Sequence, residues 1–355
     1  MSYAPASATG TRVASWTKRR RVNDDMIRRD LVDATISTLP DTAKRRYDTR
    51  MRSPNTTSRR GFLGSSAALA LAPLAGTVSA AEEKKGGKRF EFCTFTKPLQ
   101  NLSYPETAKT IAAMGFDGIE APVRPGGHVL PERVTEDLPK LVEALKAEGL
   151  DLSIMTAGIN EVSAGQHTEA VLRTAASLGV KRFRMGYYKY DLGKPILAQL
   201  DEIRPRLKDL IALTRELGIK PIYQNHSGKD YFGGPLWDLA AVFEDLSPED
   251  IGVVFDIGHA TVEGAKAWPL NFAVIRPWLD SVYIKEPSWQ NNKLGWGPLG
   301  EGAVDKGFYK LLKESDFSGP VSLHVEYIDH KGAGSTPAFL AAIEKDFSTL
   351  RSYLA

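Results

Sequence analysis

The sequence predicts an α/β protein that folds as a single (β/α)8 barrel. From residue 89 onward, short β-rich runs alternate with longer amphipathic runs eight times. Strict alternation indicates parallel strands, because the chain returns to the same edge of the sheet through a helix. Eight units in about 265 residues is the usual size of such a barrel. A doubly wound open sheet would show the same alternation, but no G-x-G-x-x-G motif follows the first β-rich run, so we expect no nucleotide cofactor.

The strands and helices can be placed in order along the chain. Several helical runs end at a glycine, because glycine readily takes the left-handed conformation that closes a helix. The predicted strands are 90–95, 118–123, 152–157, 182–187, 219–225, 251–256, 281–285 and 320–326. The predicted helices are about 105–114, 135–148, 167–178, 196–217, 236–245, 268–277, 305–315 and 337–352.

The overall composition excludes several classes of protein. With 42% hydrophobic and 25% charged residues, the chain is not collagen-like, coiled-coil or wholly disordered. Its single cysteine, Cys93, excludes an intrachain disulfide framework and a zinc site made of several thiolates. Cys93 falls in the first predicted strand, where we expect a small buried residue.

The formal net charge of +3 averages two unlike segments. Residues 1–80 carry a net charge of +8, whereas residues 81–355 carry −5. Residues 58–64 read SRRGFLG, and an apolar run follows up to Val78-Ser79-Ala80. This order resembles a twin-arginine (Tat) export signal that is cleaved after Ala80. The apolar run of about 14 residues is shorter than the roughly 20 that span a bilayer.

The chain therefore divides into three predicted segments. Residues 1–50 are expected to be a disordered basic extension, or translation begins instead at Met51; basic runs of this kind can also mark nucleic-acid binding. Residues 51–80 are the expected Tat signal peptide, and residues 81–355 form the barrel. We expect the Tat export machinery to carry the folded protein to the periplasm, with no membrane contact after cleavage.

Candidate site residues follow from the strand ends, because the chemistry of such barrels lies at the carboxyl-terminal ends of the strands. Alternation along the eighth strand turns Ser322, His324 and Glu326 inward. A buried inward carboxylate requires a metal, a cation or a catalytic proton, or else it forms a structural salt bridge. The sixth strand ends with Asp256, and His259 follows, which suits metal ligation or acid–base work. The alternative is that Asp256 caps the next helix.

Other strand ends add polar residues. The fifth strand carries Gln224 and His226 on one face, and the seventh turns Tyr283 and Lys285 inward. Lys285 can bind an anionic oxygen or move a proton. The remaining candidates for substrate binding are Glu120, Arg184, His128, Trp289 and Trp296. The last three lie in the stretches 124–128 and 288–302, which we expect to be loops at the barrel mouth; a Trp face there would cover the apolar side of a sugar.

Six short motifs, in this order, resemble the sugar phosphate isomerase/epimerase family, within the xylose isomerase-like TIM barrel superfamily. They are MGFDGIE at 114–120, QNH at 224–226, FDIGH at 255–259, VYIKE at 282–286, PLGEG at 298–302 and HVE at 324–326. The resemblance covers about residues 89–354.

The resemblance implies a divalent ion, Mn²⁺ or Mg²⁺, held by four strand ends. The family's Glu, Asp, His and Glu ligands fall here on Gln224, Asp256, Tyr283 and Glu326. Two positions match and two depart, which removes one negative charge and one nitrogen ligand. The expectation is a weaker metal site at Gln224, Asp256 and Glu326, with a neighbouring histidine such as His226 or His324 as a substitute ligand.

The resemblance also implies proton abstraction next to a carbonyl, with an enediolate stabilised by a metal or a cation. Glu326 is the expected base, and Lys285 and His259 would stabilise the oxyanion or return the proton. The predicted activity is a sugar isomerase or epimerase for a free keto- or aldo-sugar, since phosphosugars are mainly cytoplasmic. Open alternatives are a lyase or hydratase on keto-glycosides and a non-catalytic periplasmic sugar-binding barrel. An endonuclease is disfavoured by only six histidines and the acidic body.

Overall fold

The computed structural model describes residues 89–329 and 335–355. Within them, eight parallel strands close into a barrel with helices outside, which confirms the predicted fold class. The predictions for the extension at 1–50 and the Tat signal at 51–80 lie outside the described residues. Among the described helices, none combines the length and the apolar character that crossing a membrane requires.

Ten strands are present in the described residues, eight of which form the barrel in the order β1-β10-β7-β6-β5-β4-β3-β2. The strands are β1 Glu91–Phe95, β2 Gly118–Val123, β3 Asp151–Ala157, β4 Arg182–Arg184, β5 Lys220–Gln224, β6 Gly252–Asp256, β7 Leu279–Ile284, β8 Glu286–Gln290, β9 Lys293–Gly297 and β10 Pro320–Leu323. The fourth and eighth barrel strands end three residues earlier than predicted, so His324 and Glu326 follow β10 rather than lie within it.

Of the nine α-helices in the described residues, eight lie in the connections between strands and the last follows β10. They are α1 Tyr104–Ala113, α2 Val134–Ala147, α3 Thr168–Ser177, α4 Ile196–Leu217, α5 Trp237–Phe243, α6 Ile257–Gly264, α7 Trp268–Ile275, α8 Gly307–Glu314 and α9 Thr336–Leu354. A capping box of Ser103 and Glu106 begins α1, and Gly218, with a φ of 67°, ends α4 as its left-handed cap.

Two elements next to the site were not predicted. Helix α6 begins directly after β6, where the side chain of Asp256 accepts a hydrogen bond from the His259 N–H. The stretch predicted as a loop after the seventh barrel strand contains the antiparallel hairpin β8–β9. Its turn residues Asn291 and Asn292 have φ values of 50° and 61°, the left-handed conformation that favours a tight two-residue turn.

The core has two parts, as expected for a filled barrel. Most buried apolar side chains pack between the strands and the surrounding helices. A small cluster fills the inside of the barrel below the strand ends: Cys93, Ile154, Ile222, Val254 and Tyr283. Cys93 is completely buried and free, as predicted. The apolar filling leaves the carboxyl-terminal end of the strands as the polar region of the interior.

Candidate active site

Lys285 is at the centre of the buried polar region at the strand ends. It follows β7 and is 3% exposed. Its Nζ lies 3.0 Å from Asp256 Oδ2 and 3.5 Å from Glu326 Oε1, so it joins the ends of three strands. It also donates a hydrogen bond of 2.7 Å to Nε2 of His259.

The two carboxylates keep Lys285 charged. Burial alone would lower the pKa of the Lys285 ammonium, but the charges of Asp256 and Glu326 raise it above its usual value. The interaction is reciprocal at Glu326, where burial alone would raise the pKa, and Lys285 and His324 lower it well below its usual value. The region therefore holds a fixed ammonium next to an ionised carboxylate.

Asp256 is completely buried and has no free oxygen. Its Oδ1 accepts the His259 N–H, and its Oδ2 accepts both Lys285 and the amide of Gln224 at 2.6 Å. The side chain of Asn225 pairs with the backbone of Asp256 on the adjacent strand. Asp256 thus caps α6, as one of its two alternatives predicted, and it also binds the lysine.

Gln224 is oriented by its two partners. Because the Asp256 carboxylate can only accept, the Gln224 NH2 faces it, and the Gln224 Oε1 accepts a 2.5 Å hydrogen bond from the Tyr187 hydroxyl. Tyr187 lies beyond β4, and no sequence signal singled it out. Its ring lies below the Arg184 guanidinium, 4.8 Å away, and contacts the ring of His226.

Two histidines near Lys285, His259 and His226, are neutral. Burial and the Lys285 charge lower the pKa of His259 well below its usual value and that of His226 to about 4. Since Lys285 donates to Nε2 of His259, the proton of that ring lies on Nδ1, which donates to Ser227 Oγ at 2.7 Å. The His226 ring packs 3.8 Å from His259 and stacks on Tyr231.

Glu120 organises a second buried cluster. One oxygen accepts Thr156 and Tyr283, and the other accepts Ser322 and His324 Nε2, at 2.7 and 2.8 Å. With four donors and no exposed surface, this carboxylate is placed to orient its neighbours rather than to contact a substrate.

His324 connects the two clusters. Burial alone would lower its pKa, but the charge and hydrogen bond of Glu120 raise it above the usual value. Its Nδ1 lies 3.9 Å from Glu326 Oε1, so the His324 ring and the Lys285 ammonium lie near the same carboxylate.

The other predicted binding residues differ in their distance from this centre. The Trp296 ring lies 4.8 Å from Lys285 Nζ and 5.4 Å from the His259 ring, so the hairpin covers the lysine. Trp289, on the same hairpin, is 45% exposed. The structure does not bring His128 to the lysine: its Nε2 bonds the Leu102 carbonyl and its ring packs on Tyr104.

The residues present do not fit a divalent ion. The position between Asp256 and Glu326 is taken by the Lys285 ammonium, and the Gln224 oxygen faces Tyr187. Tyr283 donates its hydroxyl to Glu120 instead of offering a nitrogen ligand. In the part of the chain that the structure describes, no group of three or more His, Cys, Asp or Glu side chains could hold a metal. A divalent cation beside an ammonium would also be repelled.

Residues 108–347 match the family model described as the xylose isomerase-like TIM barrel. The chain belongs to this family. The match covers the strand ends that carry Asp256, Lys285 and Glu326. A search of curated proteins found no match.

Solved structures of xylose isomerase-like barrels resemble the chain in fold. The probable 3-DHS dehydratase AsbF from Bacillus anthracis is 14% identical, with a TM-score of 0.59 over 74% of this chain and 98% of that one. The 3-keto-D-glucoside 4-epimerase YcjR from E. coli is 15% identical, with a TM-score of 0.57 over 74% and 99%. A Mycobacterium smegmatis barrel in complex with magnesium is 17% identical, with a TM-score of 0.52 over 72% and 92%. At these identities the likeness shows the fold alone.

Proposed function

We propose that the protein is a sugar isomerase or epimerase that acts on a free keto- or aldo-sugar. The reaction begins when a base removes a proton from the carbon next to a carbonyl, which gives an enediolate. Membership of the xylose isomerase-like TIM barrel family and the likeness in fold to a 3-keto-D-glucoside 4-epimerase support this proposal. The observation that carries it is the Lys285 ammonium held beside the ionised Glu326 at the strand ends.

Glu326 is the carboxylate best placed to take the proton. Glu120 and Asp256 are completely buried and their oxygens are occupied, whereas the Glu326 side chain is 35% exposed. Its low pKa keeps it ionised. Contact with Lys285 makes it a weaker base, but this contact is the longest that the ammonium makes to its three neighbours, at 3.5 Å. A substrate oxygen that accepts a hydrogen bond from Lys285 would therefore replace Glu326 as the partner of this N–H. The Glu326 carboxylate would then become more basic.

Lys285 supplies the positive charge for the enediolate. Two of the three N–H groups of Lys285 donate to His259 and Asp256. The third is left to point toward Glu326. A substrate oxygen there would meet a preorganised cation in a buried site, where charge stabilisation is strongest. Neutral His259 fixes the ammonium through its Nε2 lone pair. Return of the proton to the same carbon from the other face gives an epimer, and return to the neighbouring carbon gives an isomer.

A lyase or hydratase acting on a keto-glycoside is the second candidate. The likeness in fold to a probable 3-DHS dehydratase favours it. β-Elimination begins with the same proton abstraction, so Glu326 and Lys285 would keep their roles, and the leaving group alone would differ.

The test is incubation of the mature protein in D₂O with a panel of free sugars and 3-keto-glycosides. We expect deuterium at the carbon next to the carbonyl, together with an epimer or isomer. Elimination products would select the lyase. The Glu326→Gln variant should lose about 10²- to 10⁴-fold in rate, the usual contribution of a general base.

The matched control is Glu301→Gln, which removes an exposed carboxylate paired with Lys345. Its rate should be unchanged. If no sugar exchanges its proton and Glu326→Gln binds sugar normally, the enzyme reading is wrong and the protein is a sugar-binding barrel.

We further propose that the protein works in the periplasm after Tat export. The SRRGFLG sequence at 58–64 supports this. Replacement of Arg59 and Arg60 by lysine should retain the protein in the cytoplasm, as measured by cell fractionation. Continued export of that variant would contradict the proposal.

A further inference from the structure

Tyr187 and Glu326 lie on opposite sides of the barrel mouth. Tyr187 follows β4 and Glu326 follows β10, each three residues after the last residue of its strand. In the closed ring of strands, β7, β6 and β5 separate β10 from β4 on one side, and β1, β2 and β3 separate them on the other. All the pairings in this ring are parallel, so both residues are at the carboxyl-terminal end. A sugar bound at the mouth therefore lies between a carboxylate and a phenol.

The Tyr187 hydroxyl is directed toward the same centre as Glu326. It donates a hydrogen bond of 2.5 Å to Oε1 of Gln224, the last residue of β5. The NH2 of this amide donates to Asp256, which also holds Lys285 at 3.0 Å. A continuous series of contacts thus joins the hydroxyl to the ammonium. Tyr187 is partly exposed, whereas Gln224 and Asp256 are buried.

The surroundings of Tyr187 keep its hydroxyl protonated and leave a cation close to its ring. Burial raises the pKa of this hydroxyl, and the charges of Arg184 and Lys285 offset part of the effect. The Arg184 guanidinium lies 4.8 Å from the centre of the ring. At neutral pH the phenol therefore carries its proton, while Glu326 on the opposite side is ionised. These are the complementary states of an acid and a base.

The two histidines near Tyr187 have no proton to give to a substrate. Both are neutral, because burial and the Lys285 charge lower their pKa values. The single proton of His226 lies on Nδ1, which donates to the Ser227 carbonyl at 2.8 Å, and that of His259 lies on Nδ1, which donates to the Ser227 hydroxyl. Each ring therefore presents a lone pair at Nε2.

The remaining polar groups do not act from the Tyr187 side either. The amide of Gln224 does not titrate, and Arg184 keeps its charge. Lys285 can give a proton, but it follows β7, the neighbour of β10, and its Nζ lies 3.5 Å from Glu326. A proton from Lys285 would therefore come from the same side as Glu326. Tyr187 is left as the proton donor across the mouth.

We propose that Tyr187 is the second catalytic acid–base residue and protonates the enediolate on the face opposite Glu326. This rests on the proposed function and narrows it to an epimerase, because a proton that arrives from the other face of the same carbon inverts that carbon.

The protons and electrons balance without a further reactant. The Glu326 carboxylate takes the proton of the substrate carbon, and the electron pair of the broken C–H bond forms the enediolate. The same carbon then forms a new bond to the phenol proton, which leaves a tyrosinate beside Arg184 and a protonated Glu326. Water accepts the proton of Glu326 and returns one to Tyr187, so the starting states are restored.

The test is Tyr187→Phe, which keeps the ring and removes only the hydroxyl. Each epimer of a reactive sugar is incubated with this variant in D₂O. Formation of the opposite epimer should fall about 10²- to 10⁴-fold, the usual contribution of a general acid or base. Glu326 can still remove and return the proton that faces it, so one epimer should gain deuterium with its configuration retained. The other epimer should not exchange.

The matched control is Tyr231→Phe. It removes a phenol hydroxyl from the ring that contacts Tyr187 at 5.2 Å, and both epimers should still form at the wild-type rate. Epimer formation by Tyr187→Phe at the wild-type rate would overturn the role of Tyr187. Equal loss of exchange from both epimers would also overturn it, because the hydroxyl would then only hold Gln224 in place. Either result leaves the proposed function intact, whereas no exchange by the wild type with any sugar would remove both.

A measurement on the wild type covers the case in which Tyr187→Phe does not fold. The substrate carries deuterium at the reacting carbon, and the first turnovers are followed in H₂O. With an acid and a base on opposite faces, the new epimer should contain only solvent hydrogen at that carbon. Transfer of the substrate's own deuterium into the new epimer would show that a single residue moves the proton, and would overturn the role of Tyr187.

Discussion

The two ends of the barrel differ in how their charged side chains are paired. At the amino-terminal end, Asp280 lies between Arg182 at 2.9 Å and Lys220 at 3.1 Å, and each cation has that partner. A cavity of about 700 Å³ lies there, lined by Arg182, Asp280 and Arg276 among others, and Arg276 is paired with Asp316. At the carboxyl-terminal end, Lys285 contacts the carboxylates of Asp256 and Glu326 together, at 3.0 and 3.5 Å.

The comparison favours the carboxyl-terminal end for the proposed chemistry, because an ammonium and a partly exposed carboxylate lie together there. Ion pairs at the amino-terminal end hold Arg182, Lys220 and Arg276 against carboxylates. At the other end, the ionised Glu326 and the ammonium are held in place by neighbours that are themselves saturated, Asp256 and Glu120. Such preorganisation is what a charged transition state requires.

The largest expected effect comes from Lys285→Met, which removes the central cation and retains most of the side-chain volume. Loss of one preorganised charge should lower kcat by about 10²- to 10³-fold in the deuterium-exchange assay. The variant should also unfold at lower temperature, because Asp256 and Glu326 are left without a counter-charge.

The control for this variant is Lys293→Met, at an exposed position of the hairpin, which should behave as wild type. Borohydride treatment with a keto-sugar should give no adduct at Lys285, since a lysine kept charged cannot attack a carbonyl. A trapped Schiff base would show that Lys285 is a nucleophile and not an electrostatic group.

The next effect tests a second group at the carboxyl-terminal side. Burial raises the pKa of Asp346 to about 6, although hydrogen bonds from Leu299 N and the Tyr327 hydroxyl partly offset it. Between the usual carboxyl pKa and 6, the folded protein keeps a proton that the unfolded chain releases. The free energy of unfolding should therefore fall as pH rises through this interval, by up to about 3 kcal/mol.

Urea unfolding at pH 4, 5, 6 and 7 measures this dependence. Asp346→Asn should reduce the fall, whereas Glu344→Gln, at an exposed position of the same helix, should leave it unchanged. An equal fall in all three proteins would show that other groups are responsible.

A smaller effect is expected at the amino-terminal end. Asp280→Asn leaves Arg182 and Lys220 without their shared anion, but these side chains are 22% and 26% exposed and water compensates in part. We expect a loss of about 1–2 kcal/mol in the free energy of unfolding and an unchanged kcat. A large loss of kcat without a loss of stability would contradict the expectation that Asp280 at the amino-terminal end contributes to stability and not to the reaction.

The smallest expected effect is that of metal removal. Because Lys285 occupies the place between Asp256 and Glu326, dialysis against EDTA should leave the exchange rate unchanged, and added Mn²⁺ should not raise it. Inactivation by EDTA with recovery on addition of Mn²⁺ would show that the lysine moves aside for an ion.

Much of this fold could be predicted from the sequence, and the reasons are local. The alternation of β-rich and amphipathic runs placed all eight barrel strands within about two residues at their starts, and period-two alternation turned Lys285 and Tyr283 inward. Helix α6 was missed because IGHATVEG lacks a strong helical pattern, and its start depends on the Asp256 cap. The hairpin was missed because its turn contains Asn291-Asn292 within a stretch rich in glycine and tryptophan.

The candidate site could be predicted only as a set of inward residues. The positions of Glu326, Lys285 and Asp256 at strand ends could be predicted from the chain, as could the departures at Gln224 and Tyr283 from the ligand set that the family resemblance implies. The contacts among these residues could not, and Tyr187 did not stand out.

The sequence by itself determined the barrel, the faces of its strands and the types of side chain at their ends. Only the tertiary structure decided that Lys285 takes the position between Asp256 and Glu326, and that Glu120 is bound to His324. The physical reason is that alternation is set by each strand's own backbone, whereas contacts between strand ends depend on closure and register. Glu120 and Ser322 are 202 residues apart in the chain and 2.7 Å apart in the barrel.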